Sequence, residues 1–198
     1  AAAEEGTTLR ILRQKQFLDF AENCRLDSYS RNLSVVLLTD IDLTGVDFAG
    51  IPIFCGNFDG NGHTVSGLSI TQDGSNMGLF RYVDASALIQ NLTVSGEIIP
   101  DGSRSAVGGI AGHNAGKIQN CFFDGTVSGS DDVGGIAGIN AITGIIDGCH
   151  SEGVITGDHR VGGVVGNNLG VIRSCNNRSA VNTTAEENQV KLSDISFD

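Results

Sequence analysis

Apolar residues in this chain recur in short bursts punctuated by glycine, and one burst returns almost unchanged. Residues 107–121 read V-G-G-I-A-G-H-N-A-G-K-I-Q-N-C; a second copy starts at Val133 and a third at Val161, so the starts fall 26 and 28 residues apart. A period of that length marks a chain that stacks one supersecondary unit on the next. The second copy is longer by two residues, both between Asn140 and Gly144, and an insertion confined to one point marks a loop.

Apolar ladders run through the copies. Leu79, Ile110, Ile136 and Val164 form one, each beside glycine, and Ile98, Val127, Ile155 and Val181 form another. A third reaches toward the N-terminus through Leu38, Val65, Ile89, Ile118, Ile146 and Ile172, at intervals of 24 to 29 residues. Two positions follow it in each unit: first Ile41, Leu68, Leu92, Cys121, Cys149 and Cys175, then Leu43, Ile70, Val94, Phe123, Ser151 and Asn177. Just before the first of these stand Asp40, Gly67, Asn91, Asn120, Gly148 and Ser174, mostly types that tolerate a left-handed backbone, so a sharp corner is expected there. Ser151 and Asn177 at an otherwise apolar position predict a core that narrows or admits water toward the C-terminus. Short strands in register with the next coil about 4.8 Å away make an all-β parallel solenoid, and the six matches give about six coils.

Ahead of the ladders, Thr8 to Leu12 reads as a short strand, and Phe17, Leu18, Phe20 and Ala21 cluster at helical spacing within Arg13 to Cys24. An array of repeats exposes a raw apolar end, so this helix is expected to cap it. The chain then divides into residues 1–33 (strand and capping helix), 34–182 (repeats) and 183–198, an irregular segment or a final strand over Val190 to Phe197.

Composition narrows the function. A formal net charge of −11 with no Lys/Arg-rich run argues against nucleic acid, and suits a soluble, extracellular or cation-rich setting. No apolar run reaches the roughly 18 residues of a membrane helix, so no membrane insertion is expected. Five cysteines without a C-x-x-C pair signal neither a zinc site nor a complete disulfide framework; whether Cys24 and Cys55 are bridged stays open. The chain opens on Ala1, which fits a mature form or a piece of a larger polypeptide.

The V-G-G-I-A-G, N-x-G and I-x-N-C elements, closed by G-T-V-S-G, resemble the GLUG repeat of bacterial secreted and cell-surface proteins over residues 107–181. The D-I-D-L at Asp40 to Leu43 and F-D-G-N-G-H-T-V-S-G-L at Phe58 to Leu68 resemble the segments that precede such repeats. The resemblance implies a right-handed β-helix like that of pectate lyases, found in adhesin-like proteins and in the non-catalytic N-terminal regions of IgA-protease-type metallopeptidases, whose H-E-x-x-H motif is absent here. Arg81 departs from the pattern where Gly112 and Gly138 stand, and Ser179 where Gly125 stands.

Repetition also aligns polar residues. Cys121, Cys149 and Cys175 share one coil position, which suggests a disulfide or soft-metal site, but Ile41, Leu68 and Leu92 in the same column favour plain core packing. Asn114, Asn140 and Asn168 share another and are expected to form an amide ladder with a structural role. Asp131, Asp132 and Asp158 lie in the turns before each V-G-G and are calcium candidates, with Arg104 and Arg160 competing for them. Asp59 and His63 suggest an acid–base pair, against which the flanking glycines point to a turn. Four N-x-S/T sequences, at Asn32, Asn91, Asn177 and Asn182, are discounted as glycosylation sites on the bacterial resemblance. No cofactor is expected, calcium aside.

The repeat uses nearly every residue and leaves no catalytic cluster, so the leading expectation is a non-enzymatic module. It would serve as a rigid spacer or adhesion segment of an extracellular or cell-surface protein, with a host or surface protein or a glycan as partner. The rival is a carbohydrate-binding or carbohydrate-active β-helix, lyase- or hydrolase-like; scattered aspartates and the absence of Trp count against it.

Overall fold

The computed structural model describes residues 6–102 and 104–182. The expected final strand at Val190 to Phe197 lies outside these residues. The chain winds as a parallel β-solenoid of about six turns, laying down strands on four stacked sheets. Sheet I holds Thr8–Ile11, Ser34–Leu37, Asn57–Asp59, Leu88–Gln90, Lys117–Gln119, Ile145–Asp147 and Val171–Arg173. Sheet II holds Ile41–Asp42, Thr64–Ile70, Thr93–Ile98, Phe122–Ser128, His150–Thr156, Asn176–Asn177 and Ala180–Val181. Sheet III holds Ile51–Phe54, Phe80–Val83, Ala111–Asn114, Ala137–Asn140 and Val165–Asn168; sheet IV holds Ser105–Gly108, Asp131–Gly134 and His159–Gly162.

Helix α1 (Gln14–Asn23) buries Phe17, Phe20 and Ala21 and packs on the first strands of sheets I, II and III. Its Phe20 ring lies 5.9 Å from both Phe54 and Phe58, which in turn meet Phe80 at 5.5 and 5.3 Å, so an aromatic column continues from the cap into the coils. The sequence pattern missed a one-turn helix α2, Asp27–Ser30. Thr8–Ile11 is itself a rung of sheet I, paired in register with Ser34–Leu37.

In the three V-G-G coils the ladders fall as their spacing implies. Ile98, Val127, Ile155 and Val181 are mutual partners, and the backbone amides of Phe80, Ile110 and Ile136 bond to the carbonyls of Ile110, Ile136 and Val164. Upstream the third ladder is misplaced. Ile89 pairs with Phe58 and Phe58 with Val35, not Val65 and Leu38; Ile41 and Val65 belong with Val94, and Ile70 with Ile98. The cause is local. The turn from Asp59 to Thr64 is longer than its counterpart Gln90 to Thr93, and a β-bulge between Val65 and Leu68, with Gly67 at φ 68°, puts Leu68 opposite Gly96. Gly67 is therefore a bulge and not the expected corner, whereas Asn91, Asn120, Gly148 and Ser174 are left-handed at φ 50–63°.

Glycine is needed where coils touch. Gly112, Gly138 and Gly166 press on the left-handed corner backbone at Asn76, Ala106 and Asp132, leaving a Cβ only 2.4 Å from the nearest backbone atom. Arg81 shares this register but precedes every described strand of sheet IV, and its guanidinium binds the carbonyls of Ser75 and Asn76, each at 3.1 Å. The second glycine of each V-G-G faces sheet II: a Cβ on Gly109 would strike the Phe123 ring, on Gly135 Ser151, and on Gly163 Asn177. The buried Ser151 finds its partners there. Ser151, fully buried, donates to the Gly163 carbonyl and lies 3.1 Å from Asn177 Oδ1.

A Cβ on Gly125 would sit 1.9 Å from the Gly96 carbonyl oxygen, whereas Gly45, at φ 74°, has no atom within 4 Å of its Cβ position. Gly125→Ala should therefore lower stability by about 3 kcal/mol through overpacking, and Gly45→Ala by about 1 kcal/mol through backbone strain alone. Urea melts of the two variants, read by far-UV circular dichroism, check this order.

Candidate functional site

The polar residues aligned by the repeat fall into an interior set and an outer set. Inside, Asn114 donates through Nδ2 to Oδ1 of Asn140 at 2.9 Å, and Asn140 donates to Oδ1 of Asn168 at 2.8 Å. Each Nδ2 also caps the carbonyl of the glycine that follows: Gly116 at 3.0 Å, Gly144 at 3.2 Å and Gly170 at 3.2 Å. The amides thus replace ladder bonds at the corner between sheets III and I, where the backbone turns away from its own pairing. The row begins at Asn114 because its partner in the preceding coil is Val83, and its buried Oδ1 has no hydrogen-bond donor among the described residues.

Cys121, Cys149 and Cys175 stack in the next corner, each thiol donating to carbonyls of its own and the preceding coil at 3.2–3.9 Å. The neighbouring Cys121 thiol, with burial, pushes Cys149 up to about 12, and Cys149 likewise raises Cys175. Held protonated, Cys149 and Cys175 are poor nucleophiles and poor metal ligands. Cys24 and Cys55 are both free and buried, and burial together with the nearby Cys55 pushes Cys24 up to about 12.

On the turn edge, Asp132 is buried against the Arg160 guanidinium, which donates to it through Nε. Asp131 lies 3.3 Å from Nδ1 of His159, and Asp158 is exposed, held only through its backbone amide on Ser130. The sequence aligned these aspartates, but the stack delivers a counter-charge with them. Asp59 and His63 do not meet: His63 Nδ1 lies 3.0 Å from Asp40, and Asp59 accepts from the Asn61 amide and from Nδ2 of Asn91. Among the described residues no three His, Cys, Asp or Glu side chains converge as a metal site.

The sequence reading overlooked the outer face of sheet II. Asp124 and Glu152 are direct register partners there, both exposed, beside the stacked rings of Phe122 and His150 at 5.1 Å. Adjacent strands hold such a pair within about 5 Å of each other, and like charges in register repel. The register of Asp124 on Glu152 follows from the 28-residue offset between Cys121 and Cys149, so the pair was legible once outward positions were aligned as the inward ones were. On sheet III the outward column is Ile53, Tyr82, His113, Ile139 and Asn167, all half-buried.

Comparison with known proteins places the central unit. The family model described as the GLUG motif matches residues 103–128. This stretch is a GLUG motif. The units starting at Val133 and Val161 repeat the GLUG pattern of V-G-G, Asn and Cys at the same coil positions. Halomucin of Haloquadratum walsbyi is 36% identical over 146 residues, 68% of this chain and 2% of that protein. A protein of Evansella cellulosilytica named as a Gly-rich membrane protein is 34% identical over 96 residues, 42% of this chain and 11% of that protein. The chain thus spans only a small part of either relative. A crystal structure of a Bacteroides ovatus protein described as a candidate immunoglobulin A1 protease superposes with a TM-score of 0.57 at 19% identity, over 88% of this chain and 67% of that one. At that identity the likeness concerns the fold. No described helix is long and apolar enough to cross a membrane.

Asn140→Ala removes the central amide of the row, breaking its bonds to Asn114 Nδ2 and the Gly144 carbonyl and leaving Asn168 Oδ1 without its donor; a loss of about 3 kcal/mol is expected, against about 1 kcal/mol for the terminal Asn168→Ala. Urea midpoints measure both. A pH test concerns His113, whose pKa burial holds below the ordinary 6.5. The neutral ring is the form the fold prefers, so its contribution is complete above the unfolded value and is lost as the pH falls through that value to the depressed one. Between pH 7.5 and 5 the wild type should lose more thermal stability than His113→Asn, and parallel curves for the two proteins would refute the assignment.

Proposed function

We propose that this chain is a non-enzymatic repeat module of a secreted or cell-surface protein, a rigid spacer that offers its outer faces for adhesion. The observation that carries the reading is where the aligned polar groups go: the Asn114–Asn140–Asn168 row and the three thiols bond coil to coil, with Asn114, Asn140, Cys121 and Cys149 buried. Chemistry at a substrate requires groups that are free to change partners, and these are not. The relatives agree in kind, one being named halomucin and the other a Gly-rich membrane protein, each far longer than this chain. An acidic surface, with a formal charge of −11, keeps such a module soluble.

One observation favours a second reading, a glycan-active or glycan-binding face. Asp124 and Glu152 are register partners on neighbouring strands of sheet II, whose spacing of about 4.8 Å is of the order of the separation in a retaining glycosidase pair. They lie on an exposed sheet surface, and neither of the two cavities found beside the cap and first coils includes them. Without a wall to exclude water or seat a sugar ring, adhesion suits this face better than hydrolysis.

Incubation of the purified chain with a panel of acidic and neutral polysaccharides should release no new reducing ends or unsaturated products. Release that disappears in Asp124→Asn/Glu152→Gln would establish the second reading in its place. A glycan and surface-protein array, run with and without calcium, then tests adhesion. Calcium-dependent binding lost in Asp131→Ala/Asp132→Ala assigns it to the turn edge, and binding lost in the sheet II variant assigns it to that face.

A further inference from the structure

The four N-x-S/T sequences are treated unequally by the fold. Asn91 donates through Nδ2 to Asp59 of the neighbouring coil at 3.1 Å. Asn177 accepts from the Ser179 amide at 2.8 Å and packs on Gly163, whose Cβ position lies 2.0 Å from its Cγ. Asn182 is bonded both ways to Gly157, its Nδ2 donating to the carbonyl and its Oδ1 accepting from the amide, each at 2.9 Å. In Asn91 and Asn182 the amide joins coil to coil, and in Asn177 it is wedged against Gly163 of the facing turn.

Asn32 differs. It is exposed, sits at φ 61° on the turn between α2 and the strand Ser34–Leu37, and its side chain makes no hydrogen bond among the described residues. Beside it opens a groove of about 400 Å³, lined also by Arg31, Ser34, Asn57, Ser86 and Leu88. Hydroxyl, amide and guanidinium groups around a shallow apolar patch are the chemistry that a sugar ring accepts. The rest of the sequon, Leu33 and Ser34, leads into the strand Ser34–Leu37, paired with Thr8–Ile11 and Asn57–Asp59, while Asn32 itself stays on the exposed turn outside those pairings.

We propose that Asn32 is an N-glycan acceptor, with the first sugar resting in the adjoining polar groove. In the transfer, Nδ2 attacks the anomeric carbon of a lipid-linked oligosaccharide. A C–N bond forms as the C–O bond to the lipid phosphate breaks, the phosphate leaves with the lipid, and one amide proton passes to a base of the transferase. The natural occurrence of this step rests on the extracellular reading above; the selectivity among the four sequences rests only on the fold.

The test supplies export and the sugar donor by design. The whole 198-residue chain, carrying a secretion leader, is expressed in a eukaryotic host with a lipid-linked oligosaccharide pathway, and the product is mapped by peptide mass before and after peptide-N-glycosidase. One glycan is expected, on Asn32, absent from Ser34→Ala and retained in Ser179→Ala. The glycosylated protein should melt within about 2 °C of the Ser34→Ala product. Secreted, folded protein with Asn32 bare, or with sugar on Asn91 or Asn177 instead, overturns the assignment. Either result leaves the module reading standing, because that reading is decided by the polysaccharide and array assays.

Discussion

In-register stacking governs this molecule: each coil lays its strands directly on the last, about 4.8 Å away, so residues one period apart become direct neighbours. A choice at one position is then repeated as a contact. An apolar residue becomes a continuous core column, as with Ile89, Ile118 and Ile146. An amide becomes a hydrogen-bonded row, and a carboxylate becomes a repulsion unless the next coil supplies a cation, as Arg160 does for Asp132. The period in the sequence is the visible form of that constraint.

The same stacking explains why glycine is so frequent at fixed places. A solenoid of short strands has to turn sharply several times per coil, and the turns must nest. Gly112, Gly138 and Gly166 lie against the left-handed corner of the preceding coil, and Gly96, Gly125 and Gly153 bring backbone onto backbone on sheet II. In the first coils Arg81 occupies the glycine register and uses its length to fasten the Ser75–Asn76 turn. The buried Ser151 belongs to the same economy of space, since Gly135 leaves it room and Gly163 supplies its carbonyl acceptor.

How much was legible follows from how strictly each coil obeys the period. Over the V-G-G units, position in the sequence gave position in the stack, and Ile110, Ile136, Val127 and Ile155 fall where their spacing puts them. The coils before them keep the apolar character but not the count. A longer turn after Asp59 and one bulge at Gly67 shift every later residue of that coil, and in a strand of period two a one-residue shift exchanges inside for outside. Leu38, assigned to the core by counting, is 39% exposed, while Val35 and Phe58 take the buried column. Helix α2 escaped notice because one turn of helix carries no periodic signal. The Asp124–Glu152 pair was hidden for another reason: outward positions are not held to one residue type, so nothing repeats there to draw the eye.

That last difference bears on where recognition can evolve. An inward substitution is judged three times over, by its own coil and by the coils on either side, and the amide row shows how completely such positions are committed. Outward columns are free of that test. Ile53, Tyr82, His113, Ile139 and Asn167 follow one another on sheet III, and Thr93, Phe122, His150 and Asn176 on sheet II, with no chemistry preserved from coil to coil. A scaffold of this kind separates its tasks by direction: the interior fixes spacing and stiffness by repetition, and any specificity must be written on the faces by departing from it.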